Sequence, residues 1–175
     1  ANNETGHLFP VAHICAQAKR KGALVHCDAV QALGKIPLNV RTLGVDFATF
    51  SGHKFYAMKG CGVLYARKGV QLGSLIHGGG QERGRRAGTE NVLAVASFGE
   101  MCSRDNITRV FSEALRLRQL RDHMEKRIVN EITGVRLTGA NGGRLPNTSN
   151  MTLKDIDGET LLMNLDVHGF AVSTG

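Results

Sequence analysis

Tryptophan is absent, and aromatic residues make up only 5% of the 175-residue chain. Little material is therefore available for stacking on bases, which weighs against a nucleic-acid platform. No uninterrupted apolar run reaches the roughly 20 residues that a membrane-spanning helix needs. Cysteines are few, and Cys15, Cys27, Cys61 and Cys102 form no C-x-x-C pair. That disfavours a zinc knuckle or a dithiol redox motif, and no metal site is expected. Isolated thiols fit a reduced, intracellular setting, with the cytoplasm as the default location. Ala1–Gly6 is polar and has neither an initiator methionine nor a signal-peptide layout. The true N-terminus is therefore expected upstream, where a mitochondrial transit peptide would also lie. Internal repeats and low-complexity tracts are missing as well.

What is present is globular in composition, 42% apolar and 21% charged. The formal charge is +7, from 22 Lys+Arg against 15 Asp+Glu. These basic residues are dispersed. Arg116, Arg118 and Arg121 stand beside Glu113 and Asp122 in a helical pattern that reads as a solvated face, while Arg83, Arg85 and Arg86 form a tighter cluster. A basic pocket for an anionic ligand accounts for the excess with less strain than a nucleic-acid surface.

Helical spacing of Val11, Ile14, Cys15 and Ala18 predicts a helix over 10–21, stopped by Gly22. Short apolar runs predict strands over 23–26, ending at Cys27-Asp28, over 47–50, ending at Ser51, and over 62–66. Gly78-Gly79-Gly80 marks a loop. Helices are predicted over 91–102 and 108–132, the second with Val110, Leu117, Leu120, Met124 and Ile128 along one side. Strands follow over 135–138 and 148–153, then a helix capped by Asp157 and ended near Gly169, then a strand over 170–172. Alternating helices and strands up to about residue 106, then a helix-then-strands unit, predict an α/β chain. A mostly parallel sheet with flanking helices occupies 1–106, and part of a smaller α+β domain occupies 107–175.

Ligands of open α/β sheets gather at the carboxyl ends of strands. The strand ends here offer Asp28 and Ser51-Gly52-His53-Lys54. A lysine amine for a Schiff base, a carboxylate to face a pyridine nitrogen, and short donors for a phosphate are the groups that a pyridoxal 5'-phosphate site requires. Each also has a plainer reading: a surface lysine, and an aspartate that caps a turn.

Taken together, the motifs resemble the NifS-like cysteine desulfurases, which are aminotransferase class V-like enzymes of the pyridoxal-phosphate fold-type I superfamily. Asn2-Asn3-Glu4-Thr5-Gly6 resembles their N-N-E-x-G segment, His26-Cys27-Asp28-Ala29-Val30-Gln31 their H-x-D-A-x-Q strand end, and Ser51-Gly52-His53-Lys54 their S-G-H-K. His77–Glu82 with Arg86–Asn91 is similar to H-G-G-G-Q-E and R-x-G-T-E-N. Pro146–Asn150 and Ala171–Gly175 match two later signatures, and all stand in family order.

The resemblance implies part of a fold-type I large domain joined to part of the small domain. Lys54 would carry the internal aldimine and shuttle the substrate α-proton. Asp28 would pair with the pyridinium nitrogen, and Gln31 with the phenolic oxygen. Ser51 and His53 would bind the phosphate. Asn3 would contact the phenolic side or the substrate carboxylate. Thr89 would reach the phosphate of the partner subunit's cofactor, which implies a homodimer. The plainer readings are a turn for Asn3, strand-end packing for His53 and a helix cap for Thr89. His26 is read as alternating away from Asp28, hence structural, and His77 as a ligand or a turn anchor.

The implied activity converts L-cysteine to L-alanine and a protein persulfide, which passes to an iron–sulfur scaffold or another sulfur acceptor. The family's nucleophilic cysteine follows the A-V-S-T-G stretch, and none of the four cysteines here matches it; each reads as a small buried residue. The upstream phosphate loop, the ring-stacking residue and the C-terminal arginine also have no counterpart. The chain is therefore expected to be an internal fragment, inactive by itself and exposing apolar faces. Selenocysteine lyase activity and a non-catalytic binding partner stand as alternatives, although the intact Asp28, Gln31 and Lys54 argue against the latter.

Overall fold

In the computed structural model, residues 1–139 and 142–174 are described. Helix α1 (Val11–Arg20) turns Cys15 inward and ends where Gly22 takes a left-handed φ of 69°. Three strands follow: β1 (His26–Asp28), β2 (Phe47–Ser51) and β3 (Gly62–Ala66). Between β1 and β2 lies a single turn, α2 (Val40–Leu43), which went unpredicted. Its signals are an Asn39 cap, whose side chain accepts from Arg41 N (2.9 Å) and Thr42 N (3.3 Å), and a left-handed Gly44. Cys15, Val45 and Ala48 are the buried centre of this layer, with Val11, Val25, Leu43 and Phe50 packed around them.

Strand β1 pairs with β2 in parallel, with Asp28 opposite Thr49, and β2 pairs with β3 antiparallel, with Ser51 opposite Gly62. The described sheet is thus mixed rather than mostly parallel. The reason is the short link from β2 to β3, residues 52–61, which is too brief for the crossover that a parallel neighbour demands. Asp46, only 1% exposed, clamps this sheet. Its carboxylate accepts from Val25 N (2.8 Å) and Arg67 Nε (2.8 Å), while Arg67 N donates to Asp46 O (2.8 Å). The start of β1, the start of β2 and the end of β3 are thereby tied at one point. The Val25 N–H, and then the Arg67 guanidinium, hold the Asp46 carboxyl below the usual carboxylate range.

Beyond a single turn α3 (Gln81–Gly84), helix α4 (Val92–Met101) is capped by Asn91, and α5 (Arg104–Glu131) runs for 28 residues. Helix α5 starts four residues before the predicted 108, because Ser103 Oγ caps it by accepting from Asn106 N. Its inward stripe contains Val110, Leu117, Arg121, Glu125 and Ile128, whereas Leu120 and Met124 are exposed. Charges turn inward because they are paired. Glu125 is 4% exposed and accepts from Arg144 Nη1 (2.9 Å), Arg144 Nη2 (2.7 Å) and Ser149 Oγ (2.7 Å). Arg121 donates to the Leu145 carbonyl.

Strands β4 (Val135–Leu137) and β5 (Met151–Leu153) pair antiparallel, and α6 (Gly158–Val167) follows under its Asp157 cap. The predicted strand over 170–172 is not formed. Phe170 and Val172 are exposed and have no ladder partner among the described residues. The N-terminal arm joins this second unit: Leu8 N donates to Gly143 O (2.9 Å) and Leu145 N to Gly6 O (2.8 Å). Among the described residues no helix is long and apolar enough to cross a membrane.

Candidate active site

Because β1 and β2 run in parallel, Asp28 and Ser51 finish at the same edge of the sheet. This is the edge where open α/β sheets hold ligands. Asp28 is exposed, and its Oδ1 accepts from Val30 N (2.9 Å), so the turn-capping role is real. Among the described residues Oδ2 has no hydrogen-bond partner, which leaves one carboxylate oxygen for a ligand. Helical-type bonds Ala32 N to Ala29 O (3.0 Å) and Ile36 N to Ala32 O (3.2 Å) then coil the chain and hold Gln31 beside the strand end. Gln31 is half-buried, and its Oε1 accepts from Lys35 Nζ at 2.6 Å.

Residues 52–55 form a 3-10 turn directly after β2. Glycine is required at 52 by close approach: its N–H donates to Cys61 O (2.8 Å), and a Cβ there would meet the carbonyls of Cys61 and Met58 at 3.1 Å. Phe55 anchors the turn. It is 2% exposed, lies against Gly34 and meets Phe98 edge-on with ring centroids 6.2 Å apart. Lys54 is therefore an exposed side chain on a fixed backbone, one residue from a buried aromatic. Ser51 Oγ and His53 Nδ1 share a hydrogen bond of 2.8 Å, so His53 is tied to the strand end by a polar contact rather than by packing.

Five of the predicted residues, Asp28, Gln31, Ser51, His53 and Lys54, thus share one edge. Asn3 and Thr89 do not join them by any hydrogen bond among the described residues. Asn2 shapes the arm's turn by accepting from Glu4 N (2.9 Å) and Thr5 N (2.8 Å), which leaves Asn3 exposed. The cap of α4 is Asn91, accepting from Ala94 N (3.2 Å), so the capping alternative for Thr89 fails and Thr89 stays exposed.

Two readings of the sequence need correction. His26 and Asp28 are both exposed, with Cys27 between them packed toward the core, so His26 shares the face of Asp28 instead of alternating away from it. Of the cysteines only Cys15 is buried; Cys27 and Cys61 are half-buried and Cys102 is exposed. Burial pushes the thiols of Cys27 and Cys102 up, away from nucleophilic thiolate. The glycine-rich loop closes on itself: Ala87 N donates to Ile76 O (3.1 Å), and Gly88 N to Gln81 Oε1 (3.2 Å). Glu82 and Arg83 within it hold left-handed φ values of 49° and 59°. Clefts of about 190 and about 430 Å³ open beside Gly34, yet Lys54 lines neither. The pocket shape therefore does not mark the site; the strand ends do.

The sequence model of the aminotransferase class-V family matches residues 1–175. The chain belongs to the aminotransferase class-V family. Among members of that family, the cysteine desulfurase of Gluconacetobacter diazotrophicus is 48% identical over 177 residues, covering 100% of this chain and 44% of that protein. The cysteine desulfurase of Nostoc sp. is 45% identical over 175 residues, with 100% and 44% covered. The chain thus spans less than half the length of these curated relatives. A NifS-like protein from Rickettsia africae superposes with a TM-score of 0.92 at 38% identity, covering 100% of this chain and 48% of that one. A structure of SspA in complex with cysteine gives 0.77 at 27% identity, with 100% and 47% covered. This class-V aminotransferase chain therefore has the mixed α/β fold of the NifS-like fold-type I structures and carries about half of it.

One residue of the edge, Lys35, was missed by sequence reading. Its signal was the spacing Gln31 to Lys35, four residues apart in a helically coiled turn.

Proposed function

We propose that this chain carries the cofactor-holding edge of a pyridoxal-phosphate-dependent cysteine desulfurase, which converts L-cysteine and an acceptor thiol to L-alanine and a persulfide. The observation that carries the reading is the convergence of Asp28, Gln31 and the Ser51–Lys54 turn on the carboxyl ends of two parallel strands. The donor set suits the cofactor. Lys54 offers an exposed primary amine, Asp28 a carboxylate oxygen without a protein partner, and Gln31 an amide whose oxygen is already engaged. When bound, pyridoxal phosphate supplies the electron sink for the pair released at the substrate α-carbon.

The chain's own groups divide the remaining work. Lys54, its backbone fixed by the buried Phe55, would hold the cofactor and, once released from it, move the substrate α-proton. Asp28, its orientation set by the Val30 N–H, would face the pyridine nitrogen with its free carboxylate oxygen and favour the protonated ring. Ser51 and His53, held together at 2.8 Å, receive the phosphate. Asn3 and Thr89 stand exposed and are assigned to the substrate side and to the cofactor phosphate of a partner subunit, in a homodimer. Residues 1–106 are assigned to the cofactor domain and 107–175 to the small domain. No cysteine of this chain is assigned as the acceptor thiol: Cys15 is buried, burial raises Cys27 and Cys102, and Cys61 is half-buried on the backbone paired with Gly52. Cysteine as substrate is supported by the cysteine desulfurase relatives and by the cysteine complex of SspA. The persulfide passes to an iron–sulfur scaffold or another sulfur acceptor.

Borohydride reduction of the full-length protein in pyridoxal phosphate, followed by peptide mass analysis, tests this. The expected result is a pyridoxyl-phosphate adduct on the peptide bearing Lys54, lost in Lys54→Ala. An unmodified Lys54 in the folded protein would overturn the reading.

A further inference from the structure

We infer that Lys35 is a positioning residue, which locks the Gln31 amide so that its NH2 group, and not its carbonyl, faces an anionic oxygen at the carboxyl edge of β1 and β2. The inference rests on the cofactor reading above, where that oxygen is the phenolic oxygen of pyridoxal phosphate.

The geometry argues as follows. An ammonium can only donate, so the Gln31 atom 2.6 Å from Lys35 Nζ must be the oxygen, Oε1. The amide is planar, and fixing Oε1 on the Lys35 side turns Nε2 and its two hydrogens to the opposite side. Left alone, a glutamine amide presents either end with nearly equal ease, and only its network decides. Both side chains are half-buried, where a charge-assisted bond is stronger and less interrupted by water than on the open surface.

Lys35 is held in place by its neighbour. Gly34 takes a left-handed φ of 73°, and the Phe55 ring sits so close that a Cβ on Gly34 would lie 2.0 Å from Phe55 Cδ2. The ring that anchors the Lys54 turn therefore also fixes the backbone that aims Lys35. Electrostatics agree. Burial pushes the Lys35 ammonium below the usual lysine range, and the positive charge of Lys54 pushes the same way. A lysine placed against burial and a like charge needs a compensating acceptor, and Gln31 Oε1 supplies it. With Lys35 holding Oε1 and the Gln31 NH2 group presented on the other side, the edge is built to receive negative oxygen.

The test is a double-mutant cycle in the full-length protein, reading the Kd for pyridoxal phosphate and the visible absorbance of the bound cofactor. Lys35→Met is expected to weaken binding about tenfold in the wild-type background, the order expected for one hydrogen bond to a charged group. It should have no further effect in a Gln31→Ala background. Lys35→Arg, which keeps a donor, should recover most of the affinity, and Lys35→Met and Gln31→Ala should shift the absorbance band alike. An equal loss from Lys35→Met in both backgrounds would show that Lys35 acts by charge or packing alone and would overturn the inference. Gln31→Glu gives a second route that keeps the Lys35 contact but removes the NH2 group; affinity equal to wild type there would also overturn it. If the wild-type protein took up no pyridoxal phosphate on Lys54, the cofactor reading itself would fall, and this inference with it. Normal uptake with additive losses would remove the inference alone.

Discussion

Replacing Glu125 by alanine should loosen the second unit of the molecule far more than any exposed acidic substitution on the same helix. Glu125 is 4% exposed and receives three hydrogen bonds, two from Arg144 and one from Ser149. The Arg144 side chain is itself only 9% exposed, so removing the carboxylate leaves a guanidinium in a poorly hydrated place without its counter-charge. Breaking a buried pair from one side costs about 3–5 kcal/mol, a large part of the roughly 5–15 kcal/mol that holds a typical protein folded. The damage should be local, because Arg144 and Ser149 lie in the ribbon that the N-terminal arm pairs with. Amide hydrogen exchange followed by mass spectrometry reads this directly. Peptides covering 117–131 and 143–149 should exchange faster by about two to three orders of magnitude, while β1–β3 changes little. Glu113→Ala removes the partner of Arg116 on the exposed face of the same helix and should leave exchange unchanged. Pairing Glu125→Ala with Arg144→Met should restore much of the protection, because the stranded charge is gone. An effect of Glu125→Ala no larger than that of Glu113→Ala would refute the reasoning.

Further outcomes follow from other contacts. Gly34→Ala combines a left-handed φ of 73° with a Cβ 2.0 Å from the Phe55 ring; a cost of about 2–4 kcal/mol is expected from strain and overpacking, read as a lowered melting temperature. The Asp46 carboxyl is depressed when folded, so its stabilisation is fully present above the unfolded pKa near 3.9 and is lost as pH falls through the lower folded value. Asp46→Asn should therefore flatten the fall in melting temperature below about pH 4, and an unchanged acid limb would contradict this. Cys102 is exposed yet raised by burial of its thiol, so at neutral pH its alkylation by iodoacetamide should be slower than that of a free cysteine and should speed up as pH rises. The 175-residue chain alone should form no alanine from L-cysteine in an amino-acid assay; alanine at a rate above background would show that one of its own cysteines accepts sulfur.

How much of this was readable beforehand depended on whether the cause was local. Apolar runs ending at Asp28 and Ser51 carry their strand character and their polar termini in a few consecutive residues, and the caps at Gly22 and Asp157 are equally local. Ser51–Lys54 and Asp28 could be placed at one edge because parallel strands align their ends. The inward turn of Arg121 and Glu125 was hidden, since a pattern of apolar spacing assigns charges to solvent and their partners lie at 144, 145 and 149. Leu120 and Met124 were misassigned for the same reason. Residues 170–172 have the composition of a strand, but a strand exists only through a neighbour, and none pairs with them among the described residues. In the site, Lys35 was passed over because an isolated lysine reads as solvated; only its 2.6 Å contact with Gln31 gives it a task.

The clasp between Gly6–Leu8 and Gly143–Leu145 has a kinetic consequence. Its two strands of backbone are separated by most of the described chain, so it closes a very long loop and cannot form until α1, the three-stranded sheet and α5 have all been synthesised. Contacts of such sequence separation raise the contact order and belong to the late part of folding. Asn2–Gly6, made before the other described elements, therefore waits through their synthesis for its partner. With Asn3 assigned to the ligand edge, Lys54 stands at that edge before the arm that carries Asn3 has been clasped.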